Sequence, residues 1–117
     1  MNNKLLYNQK NKFQCEEKLS QEKFDRITLS FYKYVKLSNL EKLRDDFFLK
    51  LNELNILGRI YIASEGINAQ ISVPKHNVTI FKKTIFLNKK LKNILFKVAV
   101  AEGPSFLKLT IKIKDER

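Results

Sequence analysis

The chain has 117 residues, of which 23 are Lys or Arg and 12 are Asp or Glu, so its formal net charge is +11. This length fits one domain that buries roughly two-thirds of the surface exposed by its unfolded chain. No apolar run approaches the roughly 20 residues that span a bilayer, and no secretory signal opens the chain, so we expect no membrane association. The positive excess favours a polyanion such as nucleic acid, although a compositional bias toward lysine would raise the charge with no ligand at all.

Cysteine and histidine usage argues against metal and thiol chemistry. Cys15 is the only cysteine, which excludes an intrachain disulfide and a cysteine cluster for zinc and fits a reducing cytoplasm. Glu16 and Glu17 beside it oppose thiolate formation. His76 is the only histidine, and we expect it at a cap or surface position. No metal, flavin or haem signature is present, so we predict no cofactor.

The first predicted strand spans Arg26–Leu37, where β-branched and aromatic residues alternate with polar ones. Its end, Tyr32-Lys33-Tyr34, places aromatic and basic groups together, a combination that can stack a base and hold a phosphate. The alternative is that both tyrosines pack under a helix with their hydroxyl groups at the rim.

The clearest predicted helix spans Ser38–Leu54. Ser38 followed by Glu41 three residues later is a capping-box pattern, which makes Ser38 the predicted N-cap. Apolar residues at helical spacing give the helix one core-facing side; they are Leu40, Leu43, Phe47, Leu51 and Leu54. We assign this helix no chemistry, and Gly58 is predicted to break the chain before the next strand.

The stretch Gly58–Pro74 reads as strand, tight turn and strand. Alternating apolar residues flank a predicted turn at Glu65–Asn68, where Gly66 and Asn68 tolerate positive φ. Pro74 ends the second strand because it has no N–H to donate to a ladder. The pattern therefore holds a polar loop between two apolar strands, a place where binding groups are commonly mounted.

A second helix is predicted to open at His76 or Asn77, with an apolar side made by Val78, Ile80, Phe81, Ile85 and Phe86. No acidic residue occurs between Glu65 and Glu102. Seven lysines fall in that interval: Lys75, Lys82, Lys83, Lys89, Lys90, Lys92 and Lys97. They could neutralise several phosphates, or form a merely solvated face.

Two further strands are predicted at Ile94–Ala101 and Phe106–Ile113. Lys108, Thr110, Lys112 and Lys114 point outward from the last one. The order is therefore β-α-β-β-α-β with one extra C-terminal strand and a short N-terminal helix over Glu16–Phe24. This order predicts an α+β, ferredoxin-like (acylphosphatase-like) sandwich, an antiparallel sheet with two covering helices.

Five segments carry a resemblance to a known family: Ser30–Tyr34, Gly58–Ala63, Glu65–Pro74, Ser105–Phe106 and Leu109–Lys114. Together they resemble the amino-terminal domain of the rhodanese-domain tRNA uridine hydroxylases. The resemblance covers about residues 26–117, and the Glu-Gly-Ile-Asn run at Glu65–Asn68 is its most specific part.

The resemblance implies oxygen-dependent 5-hydroxylation of the wobble uridine of tRNA by a cytoplasmic enzyme. In that family a rhodanese-like domain with an active-site cysteine follows this one. We expect residues 1–25 to be an extension, residues 26–117 to be the ferredoxin-like domain, and the rhodanese-like domain to be absent from this chain. Cys15 lies outside the matched region, so no catalytic residue is carried over. The expected role is to bind or position tRNA, with a rhodanese-like domain as covalent or docking partner.

The candidate RNA-binding residues are Tyr32, Lys33, Arg59, Glu65, Asn68, Lys82, Lys83 and Lys108. The basic members would contact phosphates, Tyr32 would stack on a base, and Asn68 would hydrogen-bond a base or ribose edge. Glu65 repels phosphate, and its carboxylate can instead accept backbone N–H groups of the turn. The same loop can also serve as a docking surface for another domain.

Two other functions remain open from the sequence. The chain can be a protein-interaction module or an inactive truncated remnant that binds no RNA. It can also be a small hydrolase of the acylphosphatase type, but that chemistry needs a glycine-bearing phosphate loop with an arginine after the first strand. Val35–Asn39 occupies that place and contains neither residue.

Overall fold

The computed structural model describes residues 24–98 and 108–114. Its elements are β1 (Arg26–Tyr34), α1 (Leu40–Glu53), β2 (Leu57–Ala63), β3 (Gly66–Pro74), a 3-10 turn (Lys75–Asn77), α2 (Val78–Phe86), a second 3-10 turn (Lys89–Leu91), β4 (Lys97–Val98) and β5 (Leu109–Ile113). The strands form one sheet in the order β4-β1-β3-β2-β5. The predicted N-terminal helix lies outside the described residues except for Phe24, as do the parts of the last two predicted strands within residues 99–107.

The sheet is mixed. β1 pairs antiparallel with both β3 and β4, and β2 pairs antiparallel with β3. β5 instead lies parallel to β2, with Gly58 opposite Leu109. The predicted ferredoxin-like class is confirmed, but the expectation of a wholly antiparallel sheet is wrong at this edge. A short hairpin forces antiparallel pairing, but β5 pairs with β2, from which it is distant in the sequence, so its direction is not fixed in that way.

The hydrophobic core lies between one face of the sheet and the two helices. Strand alternation sends side chains such as Phe31, Ile60 and Ile71 to this face. Helix α1 contributes Phe47 and Leu51, and each side chain that is buried in this way stabilises the fold by about 1.5–3 kcal/mol.

Aromatic rings close the core beside β4. The Phe96 ring packs edge-on against Phe31 and Phe81, with ring centroids 5.1 and 5.5 Å apart. Phe81 and Ile85 of α2 are fully buried, as predicted, whereas Ile80 is half-exposed. The predicted apolar side of α2 is therefore narrower than the sequence suggested.

Helix α1 begins later than predicted. Its N-cap is Asn39, which adopts a left-handed conformation (φ 52°) and makes no side-chain capping bond. The prediction of Ser38 as N-cap is wrong. Asparagine tolerates the left-handed region better than most residues, and this conformation turns the chain so that helical geometry starts at Leu40.

The β2–β3 hairpin turns at Ser64–Glu65, so the predicted turn at Glu65–Asn68 is displaced by one to three residues. Ala63 pairs with Gly66, and Asn68 already belongs to β3. The segment after β1 is tied to the turn by two backbone bonds of 2.9 Å, from Val35 N–H to the Glu65 carbonyl and from Leu37 N–H to the Ser64 carbonyl.

Two glycines allow close approach of neighbouring strands. Gly58 was predicted to break the chain, but it lies inside β2 with φ 128°, and a Cβ there would come 2.7 Å from the Ile71 Cα. A Cβ on Gly66 would overlap the Lys33 carbonyl oxygen and lie 3.1 Å from the Tyr34 Cα. Both positions therefore exclude any side chain.

Neither helix of the described residues has both the length and the apolar character needed to cross a membrane.

We predict that Gly66→Ala lowers the free energy of unfolding by about 2–4 kcal/mol, because backbone strain adds to overpacking against β1. Urea unfolding followed by circular dichroism measures the change. Ser64→Ala, at the neighbouring exposed turn position, is the control and is expected to stay within about 0.5 kcal/mol of the parent. Equal midpoints for the two variants would contradict the close approach of β1 and β3.

Candidate nucleic-acid interface

The sheet presents a second face, which points away from the core. Strand alternation directs a polar, aromatic and basic set of side chains to it. We call this surface the polar face; its members are Ser30, Tyr32, Tyr34, Arg59, Tyr61, Asn68, Gln70, Lys97, Thr110, Lys112 and Lys114.

Strand register aligns four of these residues in one row across the sheet. Tyr32 pairs with Asn68, Asn68 with Tyr61, and Tyr61 with Lys112. Directly opposed residues have Cβ atoms about 4.5–5.5 Å apart. The row therefore presents aromatic, amide, aromatic and ammonium groups in succession.

A second row runs about 7 Å away along the strands. It pairs Lys97 with Ser30, Ser30 with Gln70, Gln70 with Arg59 and Arg59 with Thr110. This row contains two cationic side chains, Lys97 on β4 and Arg59 on β2.

The tyrosines differ in exposure. Tyr32 and Tyr34 are 62% and 84% exposed, and their rings meet edge-on with centroids 5.8 Å apart. The alternative that both pack under a helix is therefore wrong. Tyr61 is half-buried, and the Lys114 ammonium lies 4.7 Å from its ring centroid, within cation–π distance.

Two shallow depressions lie on the polar face. The first, of about 520 Å³, is bounded by Tyr32, Tyr34, Tyr61, Glu65, Asn68 and Lys114 among others. The second, of about 530 Å³, is bounded by Ser30, Tyr32, Asn68, Gln70, Leu95 and Lys97 among others. Tyr32, Lys33 and Asn68 line both depressions, and the exposed Tyr32 and Asn68 form a ridge between them.

The helix side of the domain carries charges of both signs. Helix α1 carries four acidic residues: Glu41, Asp45, Asp46 and Glu53. Two of them form ion pairs within the helix, at 2.8 Å to Lys42 and 3.0 Å to Arg44. The hydrogen bond to Asp46 raises the pKa of Lys42. Lys42, Arg44 and Lys50 nearly balance these acids on α1, and α2 adds Lys82 and Lys83, so cations occur on the helix side as well as on the polar face.

The structure brings together three of the candidate residues predicted from the sequence. Tyr32, Arg59 and Asn68 lie on the polar face, and all three are exposed. Glu65 is exposed in the hairpin turn at the edge of the first depression, where its carbonyl accepts the Val35 N–H bond.

The other four candidate residues are not members of the polar face. Lys33 alternates to the core side of β1, where its ammonium donates to the Lys92 carbonyl at 3.4 Å, yet it lines both depressions. Lys82 of α2 lies 5.5 Å from the Phe96 ring centroid, and Lys83 is exposed on the same helix. Lys108 precedes β5, and its carbonyl accepts the Gly58 N–H at 2.9 Å.

Sequence reasoning missed Tyr61, and it favoured Lys108 over Lys112 and Lys114 on the last strand. The available signal was hairpin register: a two-residue turn at Ser64–Glu65 sets Tyr61 opposite Asn68. With the turn predicted at Glu65–Asn68, Asn68 belongs to the turn and has no partner on β2, so this pairing does not follow from the prediction.

Metal-binding geometry is absent from residues 24–98 and 108–114, where no three His, Cys, Asp or Glu side chains are grouped to hold an ion. The exposed His76 ring meets Phe24 edge-on, with centroids 5.1 Å apart.

Residues 26–116 match the family model described as the UPF0176 acylphosphatase like domain. A tRNA uridine(34) hydroxylase of Leptospira interrogans serogroup Icterohaemorrhagiae serovar Lai is 47% identical over 93% of this chain and 30% of that protein. A tRNA uridine(34) hydroxylase of Buchnera aphidicola subsp. Acyrthosiphon pisum is 40% identical over 94% of this chain and 34% of that protein. The chain thus spans about a third of the length of the curated relatives it matches.

Solved structures with this architecture include BlsA in its photo-activated state, with a TM-score of 0.58 and 20% identity over 79% of this chain and 71% of that one. The BLUF protein BlrB in its dark state gives a TM-score of 0.56 and 13% identity over 76% of this chain and 74% of that one. At these identities the likeness shows the fold alone.

We predict that acetylation of tyrosine hydroxyl groups modifies Tyr34 and Tyr32 faster than Tyr61, because the first two are exposed and Lys114 lies over the third. Peptide mapping by mass spectrometry gives the three rates. Lys114→Ala is expected to raise the Tyr61 rate several-fold, while Lys108→Ala, before the same strand, leaves it unchanged. A Tyr61 rate that equals that of Tyr34 in the parent chain would contradict the described packing.

Proposed function

Since the chain belongs to the UPF0176 acylphosphatase-like domain family, we propose that it is the tRNA-binding part of a tRNA uridine(34) hydroxylase. In this proposal tRNA lies on the polar face of the sheet. The single observation that carries it is the row Tyr32, Asn68, Tyr61 and Lys112, which combines stacking, hydrogen-bonding and cationic groups on one exposed surface.

The groups on the polar face suit the parts of an RNA chain. Lys112 and Lys114 supply cations for phosphates, and Lys97 supplies another from the opposite edge. The tyrosine rings offer flat surfaces for bases. The Asn68 side chain carries both a donor and an acceptor for a base or ribose edge.

Hydroxylation itself belongs, in this proposal, to the complete enzyme. The relatives named tRNA uridine(34) hydroxylase are about three times as long as the matched region. A rhodanese-like domain with the active-site cysteine would supply the chemistry, and the present domain would hold the tRNA in the cytoplasm for it.

Protein docking is a second candidate role. Leu87 and Val98 are 73% and 66% exposed, just after α2 and on β4. Exposed apolar side chains of this kind suit contact with another protein domain. Such docking would leave tRNA affinity independent of the polar face.

We predict that the chain binds tRNA with an affinity that falls steeply as salt rises. Lys112→Ala and Lys97→Ala are each expected to lower the slope of log K against log salt by about 0.7–0.9, because each removes one phosphate contact. Fluorescence anisotropy of labelled tRNA across a salt series measures both affinity and slope.

The matched controls are Lys83→Ala and Lys50→Ala, which remove the same charge from exposed positions on the helix side. They are expected to change the slope by much less than the polar-face variants. If all four substitutions weaken binding equally, the charge acts without a defined surface and the proposed function fails.

A further inference from the structure

We infer that the polar face binds two consecutive unpaired nucleotides of RNA, one in each depression beside the Tyr32–Asn68 ridge. This inference rests on the proposed function and adds the form of RNA that the surface accepts. It draws on the shape of the two depressions, on the exposure of the aromatic rings and on the position of Asn68.

The first depression has the features of a site for one base. Tyr34 provides an exposed aromatic wall and the half-buried Tyr61 ring lies beneath the Lys114 ammonium, while Ala63 and Gly66 contribute little side-chain volume to the lining. Its volume of about 520 Å³ lies within the range of small-ligand sites. Lys114 stands at the same depression, where a phosphate beside the base would meet its ammonium group.

The second depression offers a different but compatible set of groups. Ser30 and Gln70 supply a hydroxyl and an amide, and Lys97 supplies a cation. Leu95, which is 85% exposed, gives an apolar contact for the flat face of a base. Polar edge groups, a charge and an apolar surface together match one nucleotide.

The ridge makes the two sites adjacent. Tyr32 and Asn68 line both depressions, so a nucleotide in one lies next to a nucleotide in the other. Asn68 stands between Tyr32 and Tyr61 in the row, where its amide can donate or accept toward either base. Because the two depressions share a border, two neighbouring nucleotides of one strand suit them better than two separate ligands.

The exposed rings favour unpaired RNA. In a duplex both flat faces of each base are covered by its neighbours, so only edges, 2′-hydroxyl groups and phosphates remain for contact. Tyr34 at 84% and Tyr32 at 62% exposure stand clear of the sheet, and stacking on them requires a base with a free face. A duplex would leave these rings without a stacking partner.

The experiment compares three labelled RNAs by fluorescence anisotropy on the 117-residue chain. They are an unstructured oligoribonucleotide of about six nucleotides, the same sequence annealed to its complement, and whole tRNA. We expect the single strand to bind at least about 10-fold more tightly than the duplex at equal salt, because only the single strand can stack.

Substitutions then separate stacking from charge. Tyr32→Leu is expected to weaken single-strand binding by about 5- to 100-fold with the salt slope unchanged, whereas Tyr32→Phe keeps most of the affinity. Tyr61→Leu should act in the same direction, and because Tyr61 is half-buried its urea midpoint is measured alongside. Tyr32 is largely exposed, so its variants test the inference without loss of the fold.

The outcomes distinguish this inference from the proposed function. If duplex binds as well as single strand, or Tyr32→Leu binds as the parent does, the inference is overturned. The proposed function would then still stand, provided that tRNA binding depends on Lys112. If tRNA binding is absent or independent of Lys112, the proposed function itself fails, whatever the oligoribonucleotides show.

Discussion

The register of the β2–β3 hairpin is the constraint on which the rest of the structure depends. The two-residue turn at Ser64–Glu65 sets Ala63 opposite Gly66 and therefore Tyr61 opposite Asn68. A slip of one residue in a strand exchanges its two faces. It would turn Asn68 toward the core and bring the buried Ile67 to the surface.

The same hairpin also positions β1. Gly66 opposes Tyr34, and its bare backbone comes so close to the Lys33 carbonyl that no side chain fits there. From this contact the antiparallel pairing continues along the whole strand and places Tyr32 beside Asn68. One turn and one glycine thus align Tyr32 with Asn68, which lie 36 positions apart in the sequence, and Asn68 with Tyr61.

Alternating apolar residues were enough to predict the fold class, the strands around Ile60 and Ile71 and the core side of α1. The prediction failed where geometry depends on single residues or on distant pairing. The left-handed Asn39 moved the helix start, and the parallel direction of β5 has no local sequence signal. The lysine-rich interval after Glu65 is continuous in the sequence, yet the fold sends Lys82 and Lys83 to α2 and Lys97 to β4. Composition alone therefore could not locate the interface.

Two lysine side chains connect the end of β1, which carries the exposed tyrosines, to the segment before β4 by hydrogen bonds. Lys33 donates to the Lys92 carbonyl, and Lys90 donates at 2.9 Å to the Lys36 carbonyl, so the end of β1 and the connection before β4 are linked in both directions. On the other side, the backbone bonds from Val35 and Leu37 fasten the following segment to the hairpin turn. The platform beneath the aromatic rings is thus pre-organised, and most of the conformational entropy lost when a flexible ligand settles on it falls on the ligand rather than on the protein.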